Sequence, residues 1–220
     1  MSGMSGRARI KICGIRTPEM AMAAARAGAD AIGLVFAASS PRHVTMDQAA
    51  AVAAAVPAFV QSVGLFVTPD MEEIATTVNE LGLSMAQLHG EQDLSMIAEL
   101  HPLPVLYALH FNADTAAEDL YRVDQMYKKS GNLAGILLDT PGQQPGGGGK
   151  AFDWNALRAV LNRVKIAAPL VLAGGLNAQN VGEAIRIVQP WAVDVSSGVE
   201  SSRGVKDEGK IREFCDAVRG

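Results

Sequence analysis

The sequence is poor in cysteine and in aromatic residues. Its 220 residues include two cysteines, Cys13 and Cys215, which stand near opposite ends of the chain, and aromatic residues make up 5% of it. A small secreted domain held together by disulfides would carry more cysteine, so free thiols and a cytoplasmic location are expected. The shortage of aromatic rings leaves no platform on which single-stranded nucleic acid would stack.

Excess positive charge and long apolar runs are missing as well. The net charge is −4, which argues against nucleic acid or an anionic membrane as a partner, because both are polyanions. No window approaches the ~20 apolar residues that a membrane-spanning helix needs. The first seven residues contain no apolar segment typical of a signal peptide, and we interpret residues 1–8 as a short disordered lead-in.

The sequence instead shows a strict alternation of short apolar runs and alanine-rich helical segments. Hydrophobic residues make up 49% of the chain, enough for one or two domains with a real core. Eight strand–helix pairs follow one another, each about 27 residues long. The predicted strands are 9–13, 31–36, 59–67, 84–88, 104–109, 133–139, 169–173 and 192–196. The predicted helices are 18–27, 46–55, 69–81, 94–100, 115–127, 154–164, 178–188 and 206–218.

Such alternation implies a parallel sheet, because each helix must return the chain to the same edge. The strands are apolar throughout, as expected when both faces of a sheet are covered. An open doubly wound sheet and a closed barrel both fit this pattern, and the count of eight favours the barrel. We therefore predict an α/β protein with a single-domain (β/α)8 TIM barrel over residues 9–220. The glycine-rich stretch 142–149 is then a flexible loop between strand 6 and helix 6.

In such barrels the active site lies at the C-terminal ends of the strands, and the loops after strands 7 and 8 commonly bind phosphate. Gly174 and Gly175 follow strand 7, and Ser197 and Gly198 follow strand 8. The glycines at 146–149, of which Gly149 is the last, would add a third wall. Glycine lets the backbone approach a ligand, and a helix N-terminus offers unpaired N–H groups to an anion. One glycine pair could simply form a tight turn, but two donor-rich turns on adjacent strands predict phosphate binding.

Two reactive side chains also stand at strand ends. Cys13 ends strand 1 and Asp139 ends strand 6. Taken alone, Cys13 is typical of a small buried hydrophobe and Asp139 of an Asx turn. Strands 1 and 6 lie across the barrel from each other, however, so a thiolate base and a carboxylic acid would flank one substrate and suit a stepwise proton transfer.

The two-residue period of a strand adds a third group beneath this pair. If Cys13 points into the barrel, so does Lys11, one layer below. Strand 8 neighbours strand 1 in a closed barrel, and Asp194 precedes Ser196 by two residues. We therefore hypothesise a buried Lys11–Asp194 pair whose positive member favours the thiolate form of Cys13. The alternative is that Lys11 leaves through the barrel floor.

The remaining polar candidates are single residues. Arg42, in the loop after strand 2, suits a substrate carboxylate or the positioning of the acid, and a surface arginine is the alternative. His89, at the end of strand 4, is assigned to the pocket, whereas His101, His110 and Cys215 are assigned to helix-end, strand-end and packing positions. No histidines or cysteines have the spacing of metal ligands and no dinucleotide fingerprint occurs, so neither a metal nor a cofactor is expected.

At these residues the sequence resembles the phosphoribosylanthranilate isomerase family of tryptophan biosynthesis. The matching segments run in order along nearly the whole chain. They are Lys11-Ile12-Cys13-Gly14-Ile15, Gly33-Leu34-Val35-Phe36, Ser40-Pro41-Arg42, Val63-Gly64-Leu65-Phe66-Val67, Gln87-Leu88-His89-Gly90, Leu137-Leu138-Asp139, Phe152-Asp153-Trp154, Leu172-Ala173-Gly174-Gly175-Leu176, Asp194-Val195-Ser196-Ser197-Gly198-Val199-Glu200 and Gly204-Val205-Lys206-Asp207.

The resemblance implies an Amadori rearrangement of N-(5-phosphoribosyl)anthranilate to 1-(2-carboxyphenylamino)-1-deoxyribulose 5-phosphate. Asp139 would be the general acid on the ribose ring oxygen, and Cys13 the general base on the neighbouring carbon. Arg42 would lie near the anthranilate or Asp139. No cofactor is implied, because the anthranilate nitrogen serves as the electron sink. A small phosphosugar is the expected partner, and the chain is expected to be a monomer or a homodimer.

The sequence departs from the family pattern at two places. Gly148 stands where the glycine-rich loop usually has a hydroxyl residue, and strand 5 has Tyr107 and His110 where the family often has basic residues. Two other interpretations account for part of the pattern. A sugar-phosphate epimerase or related synthase fits poorly with the Cys13-Gly14 step, and a non-catalytic phosphosugar-binding barrel would have no use for the acid and the base.

Overall fold

The eight predicted strands close into one parallel barrel. The computed structural model describes residues 7–67, 70–90, 93–139 and 153–220. The strands are β1 (Arg9–Cys13), β2 (Ala31–Val35), β3 (Gln61–Val67), β4 (Met85–His89), β5 (Val105–His110), β6 (Leu133–Asp139), β7 (Leu170–Ala173) and β8 (Ala192–Val195). They pair in chain order, and β8 pairs with β1. The predicted (β/α)8 barrel is thus confirmed, and the open sheet is excluded.

One helix follows each strand. The helices are α1 (Pro18–Ala27), α2 (Met46–Ala55), α3 (Met71–Leu81), α4 (Ser95–Glu99), α5 (Ala116–Ser130), α6 (Trp154–Val164), α7 (Val181–Val188) and α8 (Glu208–Arg219). Their ends follow ordinary capping chemistry: Thr17 accepts a hydrogen bond from the Met20 N–H at the start of α1, and Gly28 ends that helix in the left-handed conformation. In the described parts of the chain, no helix is long and apolar enough to cross a bilayer.

Two apolar clusters lie on the two sides of the barrel wall. The larger one joins the outward faces of the strands to the helices. The smaller one contains Leu106 and Ala108 on β5, with Val171 and Ala173 on β7. Because residues two apart share a face of a strand, these pairs face the barrel interior. The lower barrel is therefore packed with side chains, and the polar site is confined to its C-terminal end.

A short antiparallel ribbon after β8 was not predicted. It consists of β9 (Glu200–Ser202) and β10 (Val205–Lys206), and a single turn of 3-10 helix, Ser197–Val199, precedes it. Strands of three and two residues are too short to show a hydrophobic period, which is why the sequence pattern missed them. The ribbon matters because it carries Glu200 and Lys206, which are both buried.

Several predicted boundaries were wrong by a few residues. The third strand begins at Gln61 rather than at 59, since Phe59 is fully exposed and has a positive φ of 71°. Helix α7 begins at Val181 rather than at 178. Most of the predicted lead-in, residues 1–6, lies outside the described residues. Arg7 belongs to the fold, because its guanidinium bonds both carboxylate oxygens of Asp30, at 2.7 and 2.8 Å.

Candidate active site

A cavity of about 760 Å³ opens at the C-terminal end of the barrel. Its wall is contributed by the ends of the strands and by the loops that follow them. Seven residues assigned to the site from the sequence line it: Cys13, Arg42, His89, Asp139, Gly174, Gly175 and Ser197. These residues are far apart in the chain, and closure of the barrel brings them to one opening.

Cys13 lies above a buried ion pair. The Lys11 Nζ donates to Asp194 Oδ1 at 2.8 Å, and both side chains are less than a tenth exposed. The predicted Lys11–Asp194 pair is confirmed, and Lys11 does not leave through the barrel floor. Gly33 on β2 makes room for this arrangement, because a Cβ there would lie 2.9 Å from the Cys13 Sγ and 3.2 Å from the Lys11 Nζ.

The electrostatics of Cys13 are set by burial against this pair. Burial raises the pKa of the Cys13 thiol, the ammonium of Lys11 lowers it, and the carboxylate of Asp194 raises it, with a net upward shift. The contribution of Lys11 therefore has the predicted sign, but it does not outweigh desolvation. Burial alone would lower the pKa of Lys11, whereas Asp194 and Cys13 raise it above its ordinary value, so Lys11 stays charged.

Asp139 lies beside two histidines at the ends of three neighbouring strands. His110 on β5 is the register partner of Asp139 on β6, and its Nδ1 lies 3.6 Å from the Asp139 Oδ2. The rings of His89 on β4 and His110 meet edge to face, with centroids 5.1 Å apart. Burial raises the pKa of the Asp139 carboxyl, while the two histidines lower it, and the net direction is upward. A raised pKa suits a carboxyl group that donates a proton.

Arg42 is held by the unpredicted ribbon rather than by Asp139. Its Nε and Nη2 donate to the two carboxylate oxygens of Glu200 at 2.7 and 2.9 Å, a planar fork on a planar acceptor. Its stem crosses Gly14, where a Cβ would lie 2.6 Å from the Arg42 Cδ. The expectation that Arg42 positions the acid is therefore not supported by its contacts. Arg42 nevertheless lines the cavity.

Glu200 and Lys206 anchor this fork inside the protein. The Lys206 Nζ donates to Glu200 Oε1 at 2.8 Å and to the Ser196 carbonyl at 2.9 Å, and the Gly204 N–H donates to Glu200 Oε2 at 3.0 Å. The Ser196 hydroxyl in turn donates to the Cys13 carbonyl at 3.2 Å. A continuous set of hydrogen bonds thus joins the arginine on one wall of the cavity to the backbone of the cysteine.

Replacing Glu200 by glutamine is expected to remove a pH-dependent part of the stability. Although burial opposes ionisation, hydrogen bonds from Arg42, Lys206 and the Gly204 N–H lower the pKa of Glu200 to about 2. A lowered folded-state pKa stabilises the fold above the unfolded value of about 4.3, and this contribution is lost as the pH falls toward 2. The wild type should exceed Glu200→Gln in unfolding free energy by about 3 kcal/mol at pH 7.

Urea unfolding of both proteins at a series of pH values measures this difference. The gap should narrow steadily below about pH 5. A gap that stays constant from pH 7 to pH 3 would show that packing, rather than the charge of Glu200, carries the effect. Asp216→Asn on α8 is a matched control, because its carboxylate is exposed and should give a small difference.

The two glycine turns lie where a phosphate is expected. Gly174 and Gly175 both have positive φ, 89° and 62°, and the chain then enters α7. Gly198 does not line the cavity; a Cβ at this position would collide with the Leu176 carbonyl, so its glycine allows the turns after β7 and β8 to pack together. Gly149, like Gly148 of the same loop, lies outside the described residues.

Two residues that line the cavity were given no role in the site from the sequence. His110 ends β5, as predicted, and it also lines the cavity beside Asp139. Gln87 on β4 was quoted only within a motif, yet its buried side chain lines the cavity. Among the described residues, its Oε1 and the Nδ1 of His89 are buried without a hydrogen-bond partner. Buried polar atoms without a partner are uncommon in folded proteins, and the sequence alone gives no sign of these two.

The sequence is similar to known proteins over almost its full length. A family model described as N-(5′-phosphoribosyl)anthranilate (PRA) isomerase matches residues 10–217. The N-(5′-phosphoribosyl)anthranilate isomerase of Herminiimonas arsenicoxydans is 44% identical over 223 residues, with 100% of this chain and 96% of that protein covered. The enzyme of the same name from Pseudomonas paraeruginosa is 48% identical over 212 residues, with 96% and 95% covered.

Solved structures give the same likeness in three dimensions. Phosphoribosyl anthranilate isomerase from Thermotoga maritima superimposes with a TM-score of 0.85 at 36% identity, covering 97% of this chain and 99% of that one. A complex of this type of enzyme with reduced 1-(o-carboxyphenylamino)-1-deoxyribulose 5-phosphate gives 0.83 at 34% identity, with the same coverage. Monomers generated from the dimeric Thermotoga maritima enzyme give 0.80 at 34% identity, again with 97% and 99% covered.

Proposed function

The chain belongs to the N-(5′-phosphoribosyl)anthranilate isomerase family of tryptophan biosynthesis, and from this we propose that Cys13 and Asp139 carry out its isomerisation as general base and general acid. The family reaction converts N-(5′-phosphoribosyl)anthranilate to 1-(2-carboxyphenylamino)-1-deoxyribulose 5-phosphate. The observation that carries the assignment is that a thiol on β1 and a carboxyl on β6 line one cavity at the catalytic end of the barrel.

Ring opening is the step assigned to Asp139. Its carboxyl group gives a proton to the ribose ring oxygen, the bond from that oxygen to C1 breaks, and the anthranilate nitrogen supplies the electrons for a C1–N double bond. Burial raises the pKa of Asp139, which favours the proton-bearing form of the carboxyl that this transfer needs. Asp139 is partly buried at the end of an apolar strand, and that environment favours its neutral form.

Proton abstraction is the step assigned to Cys13. Its thiolate takes the proton from C2, and the electrons of that bond form a C1–C2 double bond while the positive nitrogen becomes neutral. The resulting enolamine gains a proton at C1 and loses the proton of its C2 hydroxyl to become the ketone. If the thiol supplies the first proton and the Asp139 carboxylate accepts the second, both groups return to their starting forms. No co-reactant is then needed.

Substrate positioning is assigned to other residues of the cavity wall. The turns that contain Gly174, Gly175 and Ser197 would hold the phosphate through N–H and hydroxyl donors, with Gly198 keeping the turns together. Arg42 would bind the anthranilate carboxylate, because Glu200 fixes its guanidinium in the cavity wall. His89 would contact the ribose hydroxyls. Gly149 is retained as a phosphate contact from the loop after β6.

The domain extent, the cellular location and the assembly state belong to the same proposal. We treat residues 9–220 as a single catalytic domain that acts on a small phosphosugar without a cofactor. The two cysteines are free and buried, which fits a cytoplasmic enzyme. Monomer and homodimer are the two assembly states to distinguish, and light scattering of the purified chain measures which one is present.

Turnover of the substrate tests the proposed function directly. The purified chain is supplied with N-(5′-phosphoribosyl)anthranilate, and the loss of anthranilate-type fluorescence is followed. We expect fast loss that is first order in enzyme and complete without added metal or nucleotide. Loss no faster than in buffer alone would reject the function, provided that circular dichroism shows the chain to be folded.

A further inference from the structure

The ends of three neighbouring strands bring together two imidazoles and one carboxylate. His89 ends β4, His110 ends β5 and Asp139 ends β6. One ligand atom from each of these side chains lies within 4.8 Å of the others. The three residues are 21 and 29 positions apart in the sequence, so their spacing does not resemble that of a local metal-binding motif. They come together because their strands are neighbours in the barrel.

We propose that His89, His110 and Asp139 form a binding site for a borderline divalent transition-metal ion of the Zn²⁺ type, and that its occupation reversibly inhibits the enzyme. Two histidines and one carboxylate are a common ligand set for such ions, with a fourth position left to water. Binding at this site stands on geometry alone. Inhibition rests in addition on the proposed function, because Asp139 is the proposed acid.

The distances require only small side-chain movements. Tetrahedral ligands about 2.0–2.1 Å from an ion lie about 3.4 Å from one another. His110 Nδ1 and Asp139 Oδ2 are already 3.6 Å apart. All three ligand atoms lie within 4.8 Å of one another, and the side chain of His110 is 65% exposed and therefore has room to turn toward the other two.

One member of the site already lacks a partner. The Nδ1 of His89 is buried and has no hydrogen-bond partner among the described residues. A buried nitrogen without a partner is costly, and a metal ion bound at Nδ1 would satisfy it.

Occupation would block the reaction in two ways. A carboxylate bound to a metal ion has no proton to donate, so Asp139 would be lost as an acid. The ion and its water would also fill the part of the cavity that Gln87, His89 and Asp139 line. Inhibition should therefore compete with substrate and be reversed by a chelator. This proposal departs from the sequence-based expectation of no metal, which considered only ligand spacing along the chain.

Zinc binding is tested first without substrate, so that the result does not depend on the isomerase assay. The chelator-treated chain is titrated with Zn²⁺ by calorimetry, alongside His110→Asn and the control His101→Asn, whose histidine lies in the exposed turn after α4. We expect one ion per wild-type chain, unchanged binding in the control, and binding weakened at least 10–100-fold in His110→Asn. Equal binding by His110→Asn and wild type would overturn the proposal.

The competing ligand is the thiol of Cys13, which would also bind zinc. Loading the chain with Co²⁺ separates the two, because a thiolate ligand gives an intense charge-transfer band that imidazole and carboxylate ligands do not. A spectrum without that band supports the proposed site, and a spectrum with it assigns the metal to Cys13 and overturns the proposal.

In the activity assay, each variant is compared with its own rate without metal. His110→Asn should then need at least 10–100-fold more Zn²⁺ for half-inhibition than the wild type does.

Discussion

Cys13→Ala and Asp139→Asn are each expected to lower kcat/KM by about 10²–10⁴-fold, the usual contribution of a positioned general base or acid. Alanine removes the only thiol that lines the described part of the cavity. Asparagine keeps the shape of Asp139 but has no proton of suitable acidity. Both variants should bind the product with affinity close to that of the wild type, because the phosphate turns are untouched. Full activity in Cys13→Ala would remove the proposed mechanism.

The chain provides a matched control for the cysteine substitution. Cys215 on α8 is also free and buried, but it packs in the outer core, away from the cavity. Burial raises the pKa of this thiol to about 11, so it is inert at neutral pH. Cys215→Ala should keep its turnover at a temperature where it remains folded, despite a small loss of stability. A comparable loss of turnover in both variants would point to damaged folding rather than to a lost base.

The barrel could be predicted from the sequence because its signal is repeated and local. Eight apolar runs alternate with helical segments, and parallel crossover connections leave few ways to arrange them. The count of eight then selects the closed form. The predicted boundaries were wrong where the conformation of a single residue ends the regular structure. Phe59 has a positive φ, so β3 begins at Gln61 instead of at 59. The ribbon β9–β10 was not predicted, because its strands of three and two residues are too short to show a hydrophobic period.

The site was predictable where a side chain follows from a strand position, and not where it depends on contacts between distant loops. Cys13, Asp139 and the Lys11–Asp194 pair all follow from strand ends and the two-residue period. The partner of Arg42 does not, because Glu200 lies 158 residues later on an unpredicted ribbon. The place of His110 in the cavity was missed for a related reason, since only the register of β5 and β6 places it beside Asp139.

Variants of the Lys11–Asp194 pair beneath Cys13 distinguish an effect on stability from an effect on catalysis. Lys11→Met leaves Asp194 buried without its partner, and an uncompensated buried charge typically costs about 3–5 kcal/mol. The double variant Lys11→Met/Asp194→Asn removes both charges and should recover most of that loss in urea unfolding. A single-variant loss that the second substitution does not relieve would mean that the lysine acts through packing alone.

In the double variant, kcat/KM should not recover together with the free energy of unfolding. The ammonium of Lys11 lowers the pKa of Cys13 and is the largest influence opposing burial. Without it, the thiol ionises at higher pH, so the rising limb of kcat/KM against pH should move upward in both Lys11→Met and the double variant. The shift should be larger in the single variant, because the Asp194 carboxylate left behind also raises the pKa of Cys13. A rising limb that stays where it is in the wild type, in a folded double variant, would show that Lys11 only supports the barrel and does not act on the base.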